Sequence, residues 1–299
     1  MCNGPLFGKI LLFTLPLMLS GILQLLFNAA DVVVVGRFAG NEALAAVGST
    51  GSLTNLLVNL FIGLSVGANV LVARYYGAKA WDEVSQTVHT SMLVSAVGGI
   101  VLAFIGIALA RPLLLMMDTP ENVIGHSVLY MRIYFMGMPV MLLFNFGSAI
   151  LRAVGDTKRP LCAILRAIGD TRRPLIYLVI AGVINVVLNL CFVIVFRMGV
   201  AGVALATVLS QCVSTVLILR CLTKSEGCFR LCKEKLCINK EKLGKIAAIG
   251  LPAGIQGSLF SISNVLIQSS VNSFGSIAMA GNTAGSNVEG FVYTAMNSV

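Results

Sequence analysis

Charge is scarce in this 299-residue chain: 11% of residues are Asp, Glu, Lys or Arg, 57% are hydrophobic, and the mean hydropathy is +0.92. A water-soluble domain covers its surface with about 25% charged residues, so a soluble globular fold is excluded and an integral membrane protein is expected. The period-2 alternation of apolar and polar residues that marks a membrane barrel is also missing, which leaves helices. Only two histidines are present, His89 and His126, both placed near span ends and read as interfacial. Cys221, Cys228, Cys232 and Cys237 lack paired C-x₂-C spacing and a nearby histidine, so reduced thiols are expected there and no metal site. No cluster of His, Cys and carboxylates sits at depth, so no enzyme is expected and no cofactor beyond a coupling ion.

What the chain does have is a series of apolar stretches, each near the roughly 20 residues needed to cross a bilayer. Their approximate bounds are 10–35, 43–71, 88–110, 123–150, 175–196, 199–222 and 246–272, with an eighth opening near Ile277 and still running at Val299. That open end predicts a truncated chain. The first stretch is longer than the roughly 7–15 apolar residues of a cleavable signal, so it is read as a span. Lys9, Arg74, Lys79, Arg152, Lys158, Arg159, Arg166, Arg172 and Arg173, and the basic run from Arg220 to Lys245, fall on one side. On the other lie Arg37, Arg111, Arg132 and Arg197. The positive-inside rule then predicts a cytoplasmic N-terminus and accounts for the net charge of +9 without a nucleic-acid partner.

Two repeats are written into the chain. "AILRAVGDTKRPLCAILRAIGDTRRPLI" (Ala149 to Ile176) repeats itself at a fourteen-residue offset, each copy a helix-to-helix corner built from Gly, Asp or Thr and Pro. The apolar run between them, Leu161 to Ile168, covers roughly 12 Å of helix and cannot span, so it is expected to lie along the interface. The second repeat is longer-ranged: "LPLMLSGILQLLFNAADVVVVGRFAG" from Leu15 pairs with "LPAGIQGSLFSISNVLIQSSVNSFGS" from Leu251, aligning Gly21 with Gly257, Asn28 with Asn264 and Phe38 with Phe274. Six spans separate the starts. An even number makes the copies parallel, as in transporters whose two bundles rock about a central site.

The segments "DVVVVGRFAGNEALAAVG", "LRAVGDTKRP", "GVINVVLN" and "GVAGVALATVLSQ", in this order, resemble the multidrug and toxic compound extrusion (MATE) transporters. That resemblance implies an all-α polytopic bundle: a first six-helix lobe over 1–222, with a duplicated corner at 150–174, a basic linker over 223–245, and an incomplete second lobe over 246–299. It implies a cation-coupled efflux antiporter for amphipathic, often cationic, small molecules, in a bacterial inner membrane. The family carries the corner once, so the duplication is a departure. Two rival readings are a flippase for lipid-linked precursors and a remnant that does not transport. Substrate identity and oligomeric state are not encoded in any motif.

Asp31 is the sole acidic residue inside a complete span, where a carboxylate is expensive and should face a cavity or a partner. Asn185 and Asn189, four apart, share a helix face, and their amides need partners such as Asp31, Thr207 or Gln211. By resemblance Asp31, Asn185, Asn189 and Thr207 form the cation-coupling pocket. Many family members have Asp where this chain has Asn189, which favours H⁺ over Na⁺. Gln24, Asn28, Gln211, Gln256, Asn264 and Asn287 are candidate cavity amides. Pro16 and Pro252 are candidate hinges. Gly63 to Gly67, "GLSVG", matches G-x-S-x-G but lies mid-span without a His and an acid, so it reads as a GxxxG packing face, with "GNTAG" at Gly281 to Gly285 repeating it.

Overall fold

The computed structural model describes residues 6–154, 172–224, 228–232 and 236–297, with side chains except those of 6–18, 20, 172–175, 287 and 291–297. Residues 155–171, which hold the Gly-Asp-Thr turns of both corner copies and the run from Leu161 to Ile168, lie outside the described residues. Among those described there is helix and turn but no strand. The helices are α1 (Leu6–Phe38), α2 (Asn41–Gly77), α3 (Trp81–Met116), α4 (Glu121–Met136), α5 (Met138–Val154), α6 (Arg172–Leu190), α7 (Gly199–Lys224), α8 (Lys240–Asn272) and α9 (Ser276–Asn297). Six have the length and apolar composition to cross a bilayer, and α4 with α5 makes a seventh crossing bent by 51°.

The expected spans are found with longer ends, because helices continue past the hydrocarbon-length apolar stretch as polar turns. The span expected over 88–110 runs from Trp81 to Met116, and the one expected from 246 starts at Lys240, capped by the Asn239 side chain accepting from the amides of Glu241 and Lys242. The span expected over 123–150 is broken at Gly137, where Pro139 follows and the amides of Val140 and Met141 both turn to the Gly137 carbonyl. A π-helical turn, Cys191–Val195, extends α6.

Three buried clusters hold the first six crossings together. Ala68, Leu71, Val88, Phe146, Ile150, Ile218 and Leu222 pack α2, α3, α5 and α7 toward the end rich in Lys and Arg, the basic end. Leu53, Leu102, Leu114, Met131 and Phe135 pack α2, α3 and α4 further along. Val34, Val35, Val193, Val200 and Val203 join α1, the π turn and α7 at the opposite end, where Asp31 lies. Large apolar side chains such as Phe104, Val187, Leu259 and Phe260 remain exposed, as expected where the surrounding medium is lipid tails and burial is not needed for them.

Helix α8 lies along α2. Gly63 and Gly67 of α2 face Gly250 and Gly254 of α8 so closely that a methyl on Gly63 would strike the Gly254 backbone and one on Gly67 the Ile246 carbonyl. From the other side, a Cβ on Gly250 would sit 2.6 Å from Leu64 Cα, and one on Gly254 2.9 Å from Leu60 Cα. Two GxxxG faces therefore interlock backbone to backbone. The second expected face does not: a Cβ on Gly281 or Gly285 meets nothing within 4 Å, because α9 turns these glycines away from its neighbours.

Candidate functional site

A cavity of about 640 Å³ opens between α1, α2, α4, α5, α6 and α7 on one side and α8 and α9 on the other. Its walls carry Gln24, Asn28 and Asp31 of α1, Asn185 of α6, and Thr207 and Gln211 of α7. Helical spacing puts Gln24, Asn28 and Asp31 on one stripe of α1, and Thr207 and Gln211 one turn apart on α7. Tyr130 and Tyr134, stacked at 6.0 Å between ring centroids, form part of the wall on α4. Among the described residues, no Lys, Arg or His lines the cavity.

Asp31 is tied to the far wall by the Asn189 amide, with the Thr207 hydroxyl beside it. The Asn189 side-chain amide donates to Asp31 Oδ1 and, at 3.3 Å, to Asn185 Oδ1; Asn185 in turn donates toward Thr207 Oγ1 at 3.4 Å. Thr207 Oγ1 donates to the Val203 carbonyl at 3.0 Å. Asn185 and Asn189 are buried, 5% and 1% exposed, so an unpaired amide there would be costly, and each is held in this chain instead. The four residues come together from α1, α6 and α7. Immediately after Asn189 the helix register widens at the π turn, where the Phe196 amide reaches the Cys191 carbonyl. Such turns recur at functional sites, and hydrophobic pattern gives no sign of them.

Three buried acceptors of the site have no hydrogen-bond partner among the described residues: Asn189 Oδ1, Gln211 Oε1 and Thr54 Oγ1. The first belongs to the amide that holds Asp31, and Thr54, like Gln211, lines the cavity. Gln211 does not bond to either Asn185 or Asn189.

Gln256 and Asn264 are exposed on α8 and do not line the cavity; Asn287 lies in α9 with its side chain outside the described residues. The second wall is made instead by Gln268 of α8 and Asn282, Thr283 and Ser286 of α9. Gln268 is fixed at both ends: its amide nitrogen donates to Asn272 Oδ1 at 2.9 Å, and its oxygen accepts from Asn282 at 3.3 Å. Asn272 then donates to the Met117 carbonyl at 2.9 Å. The signal available in sequence was the i, i+4 pair Gln268 and Asn272, the same spacing as Asn185 and Asn189.

Pro252 sits inside an unbroken α8, and Pro16 inside α1. Ser65 of "GLSVG" donates to its own helix at Ile62 O, 2.7 Å, as a packing residue does. His89 departs from the interfacial expectation. It is 1% exposed, its Nδ1 lies 2.7 Å from the Ser85 carbonyl, and its Nε2 accepts from the Cys232 amide at 3.0 Å. The loop folds back over α3 and buries a ring that hydropathy alone had left at the surface. His126 is exposed.

The MatE family model matches residues 16–164, and the model described as Lipid II flippase MurJ matches residues 161–275. The probable multidrug resistance protein YoeA of Bacillus subtilis is 33% identical over 276 residues, covering 90% of this chain and 57% of YoeA. The probable multidrug resistance protein NorM of Thermotoga maritima is 26% identical, covering 94% and 58%. This chain thus spans less than two thirds of these relatives. Among solved structures, a multidrug resistance MATE family transporter in an inward-facing conformation superposes with a TM-score of 0.76 at 24% identity, covering 91% of this chain and 60% of its own. The MATE multidrug transporter DinF-BH superposes with a TM-score of 0.87 at 20% identity, covering 97% and 62%.

Proposed function

The chain belongs to the MATE transporter family, and from that premise we propose that it is a piece of an H⁺-coupled efflux antiporter for amphipathic, cationic small molecules. The observation that carries this reading is the cavity wall: one carboxylate, Asp31, held by the neutral Asn189 amide and facing a volume that, among the described residues, no basic side chain lines. A carboxylate attracts an organic cation or a proton but not both at once. Mutual exclusion at one group is what antiport requires, since ion and substrate then favour opposite states of the bundle. The neutral Asn189 beside Asp31 leaves a single acid at the pocket. A proton cancels one charge with one bond, whereas a sodium ion needs several oxygen ligands, so H⁺ is the coupling ion.

The stacked rings of Tyr130 and Tyr134 supply an apolar, electron-rich face for an aromatic cation. The bundle is multi-pass, and the basic ends of its helices face the cytoplasm, with the N-terminus on that side.

The test is drug-cation uptake into inverted vesicles, with the chain alone and co-expressed with a complementary second lobe. The wild type is expected to move dye under a pH gradient and not under a Na⁺ gradient. Asp31→Asn is expected to insert normally and lose that flux. Unchanged flux in Asp31→Asn removes the carboxylate from the mechanism, and no flux in either format favours a remnant that does not transport.

The MurJ match over 161–275 favours a second reading, a lipid-precursor flippase. A phosphorylated lipid would need cationic side chains in the wall, and among the described residues the cavity lining has none. Translocation of a labelled anionic lipid precursor in the same vesicles would reverse the choice.

A further inference from the structure

The cavity stops short of the basic end. Along α2 its lining runs from Val47 to Ile62 and ends where Gly63 and Gly67 meet α8. Beyond that interlocked seam, one turn before Ile246 on α8, is Lys242. It is 1% exposed and forms an ion pair with Glu83 of α3, itself 39% exposed. Lys242 Nζ also donates to the Tyr75 hydroxyl at 3.4 Å and lies 4.8 Å from the centre of that ring. Around it, Lys245 bonds Glu241 at 2.6 Å and the same Tyr75 hydroxyl at 3.3 Å. Asn239 adds two bonds to α3, its side chain donating to Gln86 at 2.9 Å and its amide to Thr90 at 3.2 Å.

A lysine buried to this degree is not explained as glue. Taking two charges out of water costs about what their attraction returns, so such a pair adds little net stability while fixing one arrangement strongly. Separation is cheap if both charges reach water and expensive if only one partner is removed. Those are the properties of a switch. We propose that Lys242 and Glu83 are a latch that, with Tyr75, holds the start of α8 against α2 and α3 and shuts the basic end of the cavity in one state of the transport cycle. The latch rests on the alternating-access reading above. It deepens it by naming which contact between the first lobe and the start of the second must break for the basic side to open.

The experiment is hydrogen–deuterium exchange of the whole chain in lipid nanodiscs, read on amides 243–250 of α8, with 121–154 of α4 and α5 as an internal reference. Glu83→Gln removes the nearer carboxylate and leaves the buried ammonium only the exposed Glu241 at 3.8 Å, and exchange at 243–250 is expected to rise about tenfold with the reference unchanged. Lys242→Met breaks the pair but removes the buried charge and keeps its bulk, so a smaller rise of about threefold is expected, and no rise at all also overturns the latch. The charge exchange Glu83→Lys with Lys242→Glu is expected to return the rate to within about twofold of wild type. Unchanged exchange in Glu83→Gln overturns the latch. So does equal acceleration of 121–154, which would mark general loosening, or failure of the charge exchange to restore protection. The readout needs no substrate, so its failure is distinct from the absence of efflux that would sink the transport reading.

Discussion

The hairpins α1–α2 and α8–α9 are two copies of one pattern used in two ways. Both first helices are 33 residues long, and both hairpins turn through a glycine of positive φ, Gly40 at 91° and Gly275 at 89°. The backbone design is therefore shared. The chemistry is not: the residue of α8 that aligns with Asp31 is Ile267, 60% exposed on the outer face. Polarity moved one residue along, to the buried Gln268 and Asn272, and it came as amides that pair with one another and with the Met117 carbonyl. One hairpin carries a carboxylate that faces the cavity; the other carries a neutral wall and the seam that packs on α2.

The contrast can be broken most forcefully at the seam. Gly67→Leu would drive a side chain into the Ile246 carbonyl, and α8 is expected to leave α2 altogether, read as loss of the folded band in a detergent thermal-stability assay. Next comes the exchange of chemistry between copies. Ile267→Asp would place a carboxylate on an exposed face of α8 and should cost up to about 3 kcal/mol of insertion free energy. Asp31→Asn should leave insertion unchanged, and a glycosylation-based insertion assay compares the two.

The equivalence of the turns is sharper still. Gly40→Ala and Gly275→Ala should each cost about 1–2 kcal/mol, similar to one another, because an L side chain is strained at these φ values. Unfolding midpoints that differ widely would mean the two turns are not structural counterparts. Smallest is Gly281→Ala with Gly285→Ala: open space around both predicts a change within about 0.5 kcal/mol.

Much of this was legible from composition and spacing, for reasons that differ by feature. Low charge and apolar stretches of bilayer length identify crossing helices because lipid leaves the backbone no other way to satisfy its own hydrogen bonds. The same scarcity isolates Asp31, since a lone acid in a span is informative wherever it points. The i, i+4 spacing of Asn185 and Asn189 fixes a shared face but not what that face meets. Two expected cavity amides, Gln256 and Asn264, fell outside because a helix exposed on several sides offers several polar faces, and only contact with α2 and α9 selects the one bearing Gln268.

Hydropathy, period and residue identity are local quantities, and they were enough to specify an α-helical membrane bundle with an internal parallel repeat. Tertiary structure alone decided which amides reach Asp31, which of two GxxxG faces interlocks, and that His89 and Lys242 are buried near the polar end of the bundle. Those outcomes depend on the rotation of each helix about its axis and on what the neighbouring helix offers at that height, and neither is written in the helix's own residues.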